Sequence, residues 1–356
     1  MNQRFALILL AGVFSLSLHG QEKLQILPLH PQRGQQITIR YNTASKDATI
    51  SDTATSVEMV FSYSNLYELP WTMGMKKNGL YWEASFVLPR YATYATFYVQ
   101  SGSLKDQPEP GRHFEIAVYD KDKRVRDGYL YEGYSLPAQK GRVPGLALMQ
   151  AALYEKELRQ HPDNYEARLR LLKFKMDTAE TEAGKAQYLK KAEAIIAAKF
   201  RENPGNMGLL NRVTMGYLIM GENSRLDSIR RIVKQNYPNT QAGYELIIGD
   251  IMNGSDTLKK ITKLEELLKK ENSSNSKDLA DAHQELMKLY AAKKQESKAL
   301  YHLKRSAQDS SPYQPETLKR QAEVLMKAGI GLDTAYLLAQ QALKEADQFP
   351  AGLIRF

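Results

Sequence analysis

The spacing of apolar residues changes once along this chain, near Tyr119, and that change limits the fold more than any other feature. Before it, apolar side chains recur at every second residue, the repeat of a strand with one buried face. Gln36-Ile37-Thr38-Ile39-Arg40-Tyr41 alternates in this way, as do Val57, Met59 and Phe61. Trp82, Ala84, Phe86 and Leu88 share a face of a third segment, which Pro89 closes. Ala95, Phe97 and Val99 mark a fourth, and Phe114, Ile116 and Val118 a fifth. Turn formers separate them: Pro31 with Gly34, Lys77-Asn78-Gly79, Ser101-Gly102, and Pro108 with Pro110-Gly111. Short strands at this spacing predict an immunoglobulin-like antiparallel β-sandwich over residues 22–120.

Beyond Tyr119, Asp120 to Arg126 reads as a charged turn, Tyr129, Tyr131 and Tyr134 as an aromatic cluster, and Pro137 to Pro144 as a Gly/Pro/basic stretch, so residues 121–145 are expected to be a linker. From Leu146 the apolar residues recur at three and four, which predicts about eleven helical segments over residues 146–356. Pro162, Pro204, Pro238 and Pro312 punctuate them at intervals of 42, 34 and 74 residues. The polar loop Asn272-Ser273-Ser274-Asn275-Ser276 supplies the break missing from the last interval. A helical pair at this interval predicts an α-solenoid, with an irregular helical bundle as the alternative.

The first residues carry a different signal. Arg4, an apolar run from Phe5 to about Leu18, and the polar exit Ser17, His19, Gly20 and Gln21 form the pattern of a secretory signal peptide over residues 1–21, cleaved near Gly20 or Gln21. The alternative is a buried N-terminal helix. The run is shorter than the roughly 20 residues that span a bilayer, and no later stretch is long and apolar enough, so no membrane span is expected and the product should be periplasmic or secreted. The chain contains no cysteine. A lipid-anchored signal, disulfides and thiol chemistry are therefore excluded, and stability must come from packing. The net charge of +9 lies entirely in the second part, where 39 Lys/Arg face 30 Asp/Glu over residues 121–356. Those charges are interleaved, as in Lys259-Lys260, Glu265-Glu266 and Lys269-Lys270, the mark of solvated helix faces; nucleic acid is not an expected partner.

No motif specific enough for a catalytic site, a metal or a cofactor occurs. Gly329-Ile330-Gly331 lacks the third glycine of a phosphate loop and reads as a helix end. A Gly-x-Ser-x-Gly elbow is absent. Among His19, His30, His113, His161, His283 and His302, only the last two fall where they could face each other across a helical hairpin, and without an adjacent carboxylate they read as helix-surface residues. Asp120, Asp122 and Asp127 lack the glycine and distal glutamate of a calcium loop. The aromatics of the first part are the one candidate ligand face: alternation turns Tyr94 and Tyr98 outward, and with Trp71 they could stack a glycan, although exposed tyrosines are also ordinary in strands.

Two resemblances follow from these residues. In Leu279 to Ser311, Leu286 and Tyr290 with Ala299, Leu303 and Ser306 resemble the large and small packing positions of a tetratricopeptide repeat. Ala322, Leu325, Gly329, Ala335, Ala339 and Ala342 repeat the pattern, whereas Met287 replaces the expected glycine and residues 146–270 fit it loosely. The order of signal peptide, Trp/Tyr-rich sandwich with Pro31-x-x-Gly34 before Ile37 to Asn42, and helical repeats resembles the front part of exported TlpA-like thioredoxin-family proteins of Gram-negative bacteria. That resemblance implies a scaffold with a protein or peptide partner in the solenoid groove, and a Cys-x-x-Cys redoxin domain following it. The family's catalytic cysteines have no counterpart here. The closing Phe349 to Phe356 is expected either to precede such a domain or to dock on the last helices. A carbohydrate-binding accessory protein is the alternative reading.

Overall fold

In the computed structural model, residues 22–64, 71–89, 91–306 and 314–346 are described. The expected signal peptide, Arg90 and the apolar tail lie outside them. The first part contains β1 (Leu24–Leu27), β2 (Gln36–Asn42), β3 (Glu58–Ser64), β4 (Trp71–Gly74), β5 (Lys76–Asn78) and β6 (Tyr81–Val87). It continues with β7 (Tyr94–Ser101), β8 (Leu104–Asp106), β9 (Phe114–Ala117), β10 (Tyr119–Asp120) and β11 (Lys123–Arg124). One antiparallel sheet has the order β1-β2-β6-β5; in the other, β3 lies between β4 and β7, and β7 pairs with both β8 and β9.

The period of two explains the core. Ile37, Ile39 and Tyr41 on β2 stand opposite Phe86, Ala84 and Trp82 on β6, while Met59 and Phe61 on β3 stand opposite Val99 and Phe97 on β7. Side chains from both sheets join one buried cluster with Phe114, Ile116 and Val118. Each large apolar group there contributes about 1.5–3 kcal/mol through its removal from water. On β6 the intervening Ser85 and Val87 face solvent, as alternation requires. β7 departs from that rule, because Tyr94, Ala95, Thr96 and Phe97 are all buried. Something must cover its other face.

The cover comes from the segment expected to be a linker. Residues 119–124 form the β10–β11 hairpin, and α1 (Gly128–Lys140) packs on β3 and β7. Pro137 inside α1 hid the helix from sequence reading, since a proline removes one backbone donor and crowds the carbonyl four residues earlier. That carbonyl, on Gly133, accepts instead from the Gln150 side chain at 2.9 Å. Gly133 also lacks the Cβ that would sit 2.8 Å from the buried Tyr154 ring, so the next helix approaches closely.

The helices that follow are α2 (Leu146–Gln160), α3 (Tyr165–Asp177), α4 (Glu182–Glu202), α5 (Met207–Met220), α6 (Ser224–Asn236) and α7 (Gln241–Met252). α8 (Thr257–Leu268), α9 (Ala280–Ala292), α10 (Glu296–Ser306), α11 (Gln314–Ala328) and α12 (Leu332–Ala346) complete the described part. Their starts carry the expected chemistry: Asn164, Thr181, Asn206, Thr240 and Asp256 each accept a backbone N–H of the first turn. Each odd-numbered helix packs on the even-numbered helix after it, and from α3 onward also on the next odd-numbered helix. The molecule is thus antiparallel sheets followed by twelve described helices.

Filling the Gly133 gap should separate α1 from α2. Gly133→Ala is expected to lower stability by about 1–3 kcal/mol, the range for overpacking a buried contact, read from the urea unfolding midpoint.

Candidate functional site

The aromatic face proposed from alternation does not assemble. Tyr94 and Tyr98 do share the outer face of β7, but Tyr94 is buried and donates its hydroxyl to Glu115 Oε2 at 2.7 Å. Because α1 lies on that face, Tyr94 has no free ring to stack a sugar, which corrects the expectation. Tyr98 is half-buried, with Lys105 Nζ 3.9 Å from its ring centre and His113 at its edge. Trp71 begins β4, and its side chain lies outside the described part.

What occupies the face is a charge cluster. Arg124, at the end of β11, reaches Glu132 of α1 and lies 3.7 Å from Glu115 of β9. Its guanidinium sits 5.6 Å from the Tyr94 ring and 4.6 Å from that of Tyr129. Burial opposes the Arg124 charge, but Glu132 and Glu115 outweigh it and hold the group above its ordinary pKa. Burial conversely raises the Glu132 carboxyl against the pull of Arg124. The start of α1 is held by a second buried acid. Glu157 of α2 accepts the backbone N–H of Asp127 at 2.8 Å and of Tyr129 at 3.1 Å, and Asn164 donates to it at 2.8 Å. Neither cluster was visible in the sequence, because residues 7 to 30 positions apart meet only after the chain folds. Asn164, which follows the break at Pro162, is of a residue type that caps helices, and that was the only signal available.

Beside this junction lies a cleft of about 700 Å³ lined by Gln32, Arg33, the β10–β11 hairpin and His161. Asp122 stands exposed there among Lys121 and Lys123, consistent with a solvated turn. Ser62 Oγ meets His113 Nδ1 on the outer face of the second sheet, and burial first, then Lys105, hold His113 down to about 4. Among the described residues no carboxylate is hydrogen-bonded to the other nitrogen of His113, the place an orienting acid takes in a hydrolytic triad. No group of three or more His, Cys, Asp or Glu among the described residues could hold a metal. No described helix is long and apolar enough to cross a membrane.

His283 and His302 are not surface residues. Both are buried between α9 and α10, with their Nδ1 atoms 2.8 Å apart, and a carboxylate is present: Glu271 Oε2 lies 3.2 Å from His283 Nε2. Glu271 also accepts from Arg305 at 2.6 Å. If His283 donates Nε2–H to Glu271, its Nδ1 accepts and His302 donates across the hairpin. The ring of Tyr290 stacks on His302 at 5.6 Å, and its hydroxyl reaches Glu265. Burial, then His283, depress His302 to about 4; burial outweighs Glu271 and lowers His283 as well.

The repeat-packing residues fall on these same helices. Leu286, Tyr290, Ala299, Leu303, Ala322, Leu325 and Ala335 are buried. Ala339 is exposed, because α12 turns Ala335, Leu338 and Ala342 inward instead. Among the apolar surfaces left open is a groove of about 440 Å³ across α2, α3 and α4, floored by Leu158, Leu171, Leu172, Ala194 and Ile195. No family model matches the chain, and no curated protein matches it.

Two measurements check the clusters. Arg124→Met leaves Glu115 and Glu132 without their cation and should cost about 3 kcal/mol in urea unfolding, with Arg124→Lys recovering part, since lysine keeps charge but not the planar stacking. For the histidines, the folded pKa values lie below the ordinary 6.5, so the unfolded chain binds more protons between about 6.5 and 4. Their contribution is complete above that window and lost as pH falls through it. Glu245, raised to about 7 by burial and then by Asp281 and Asp278, acts in the opposite sense as pH rises toward 7. His302→Asn, which keeps a donor near the Nδ1 position, should shrink the drop in thermal midpoint between pH 7 and pH 5 by about 2–4 °C.

Proposed function

We propose that this chain is a non-catalytic protein-interaction module of an exported protein, an immunoglobulin-like β-sandwich that carries a tetratricopeptide-like helical array. The observation that carries the reading is the order of helix contacts, in which hairpins α3–α4, α5–α6, α7–α8 and α9–α10 stack through α3, α5, α7, α9 and α11. Stacked hairpins present an extended surface along one side, which suits a protein or peptide more than a small molecule. The arrangement of Leu286, Tyr290, Ala299 and Leu303 in the α9–α10 hairpin supports the repeat reading. Export rests on the residues 1–21 pattern. The lack of cysteine is compatible with a front part that serves a separate, thioredoxin-like disulfide reductase domain, as in TlpA-like proteins. The carbohydrate alternative loses Tyr94 to the α1 interface.

The reading predicts a partner held by the helices. With photo-crosslinking groups placed singly on exposed positions of both parts of the full chain, an envelope extract should yield a discrete crosslinked protein from positions on α3 to α11. Crosslinks confined to the sheets, or none at all, would overturn it.

A further inference from the structure

The groove across α2, α3 and α4 lies where two packed cores meet without closing. Leu158 and Leu171 flank the cluster centred on Leu130, Tyr154 and Ala167, whereas Leu172 and Ile195 flank the cluster built around Leu169, Ile196 and Val213. All four side chains are half-buried, so each keeps an apolar face toward solvent, and Ala194 between them is exposed. The floor is wholly apolar, and the rim is wholly basic: Arg168 and Lys175 on α3 and Lys191 on α4 line it, with no acidic residue.

Those three cations, like Lys190 and Arg201 of α4, have no ion-pair partner among the described residues, unlike several others on these helices. On the same helices Lys173 pairs with Asp177, Lys185 with Glu182 and Lys199 with Glu202. Among the described residues no carboxylate oxygen comes within 4 Å of Arg168, Lys175 or Lys191; Arg168 donates Nε to the Pro162 carbonyl, and Lys191 lies over the Tyr188 ring. An apolar trench bordered by three such charges complements a segment with large apolar side chains on one face and carboxylates on its flanks. A volume of about 440 Å³ falls within the roughly 300–1,000 Å³ of built binding pockets. The groove is open toward solvent, as helix-in-groove recognition requires, rather than closed around a single acyl chain.

We propose that this groove binds an acidic amphipathic helix of a partner protein, its leucine-like side chains on Leu158, Leu171, Leu172 and Ile195 and its carboxylates against Arg168, Lys175 and Lys191. This rests on the interaction-module reading and names the class of partner. The apolar floor supplies most of the affinity, and the rim selects the sign of charge and speeds encounter.

The probe is a fluorescein-labelled peptide with leucines at i, i+3, i+4 and i+7 and glutamates on its flanks, compared with the same peptide carrying lysines, by fluorescence anisotropy against the full chain. The acidic peptide should bind at least tenfold more tightly, with the gap narrowing as salt is raised. Lys175→Glu with Lys191→Glu, both at exposed positions, should reverse the preference, and Ala194→Glu should abolish binding of the acidic peptide; unchanged thermal midpoints show that the variants fold. Equal binding of the two peptides, binding of neither, or an acidic-peptide affinity unmoved by the double variant would overturn the proposal. If the crosslinked partner described above is still captured by the Lys175→Glu, Lys191→Glu chain, the groove assignment falls while the interaction-module reading stands.

Discussion

Glu157 is the group on which the joining of sheets and helices depends. It is fully buried on α2, where an unsatisfied carboxylate would be strongly unfavourable, yet its oxygens are taken up by two backbone N–H groups at the start of α1 and by Asn164. The start of α1 has no capping side chain of its own, because Asp127 sits in the left-handed region at φ 71°. A negative charge from another helix fills that role, satisfying the exposed donors and matching the positive end of the helix dipole. Asn164 in turn caps α3, so one carboxylate sets the relation of three helices.

Once α1 is fixed, the rest of the junction follows. Its buried side lies on β3 and β7, which covers Tyr94 and Thr96 on the outer face of the second sheet and brings Tyr94, Glu115, Arg124 and Glu132 together. Such a cluster is a poor source of net stability but a strong source of specificity, since any other docking of the helix would leave a charge without its partner. The outer face of the first sheet, with Ser85 and Val87, stays exposed, and so do faces of the helices. There the packed cores on either side of Leu171 and Leu172 leave an apolar seam whose basic border makes it selective.

The expected strands at residues 36–41, 57–61, 82–88, 95–99 and 114–118 correspond in turn to β2, β3, β6, β7 and β9, and the helical segments expected after Leu146, about eleven, to α2 through α12 among the described residues. These were legible because alternation and helical spacing are local consequences of having one buried side. Short edge strands such as β5 and β8 were not, since their residues are mostly exposed and carry no apolar pattern. α1 was hidden by Pro137, whose broken hydrogen bond is repaired by Gln150 from a different helix.

The amino-acid sequence by itself determined the five main strands, the helices from α2 onward, the lack of any thiol chemistry in this chain, and the inward positions Leu286, Tyr290, Ala299 and Leu303. Only the tertiary structure decided that Tyr94 is a core residue and not a ligand platform, that His283 and His302 share a hydrogen bond with Glu271 beside them, and that Ala339 faces solvent. The physical reason is the same in each case. Periodicity reports which side of an element is apolar, whereas burial of the other side depends on what the rest of the chain lays over it.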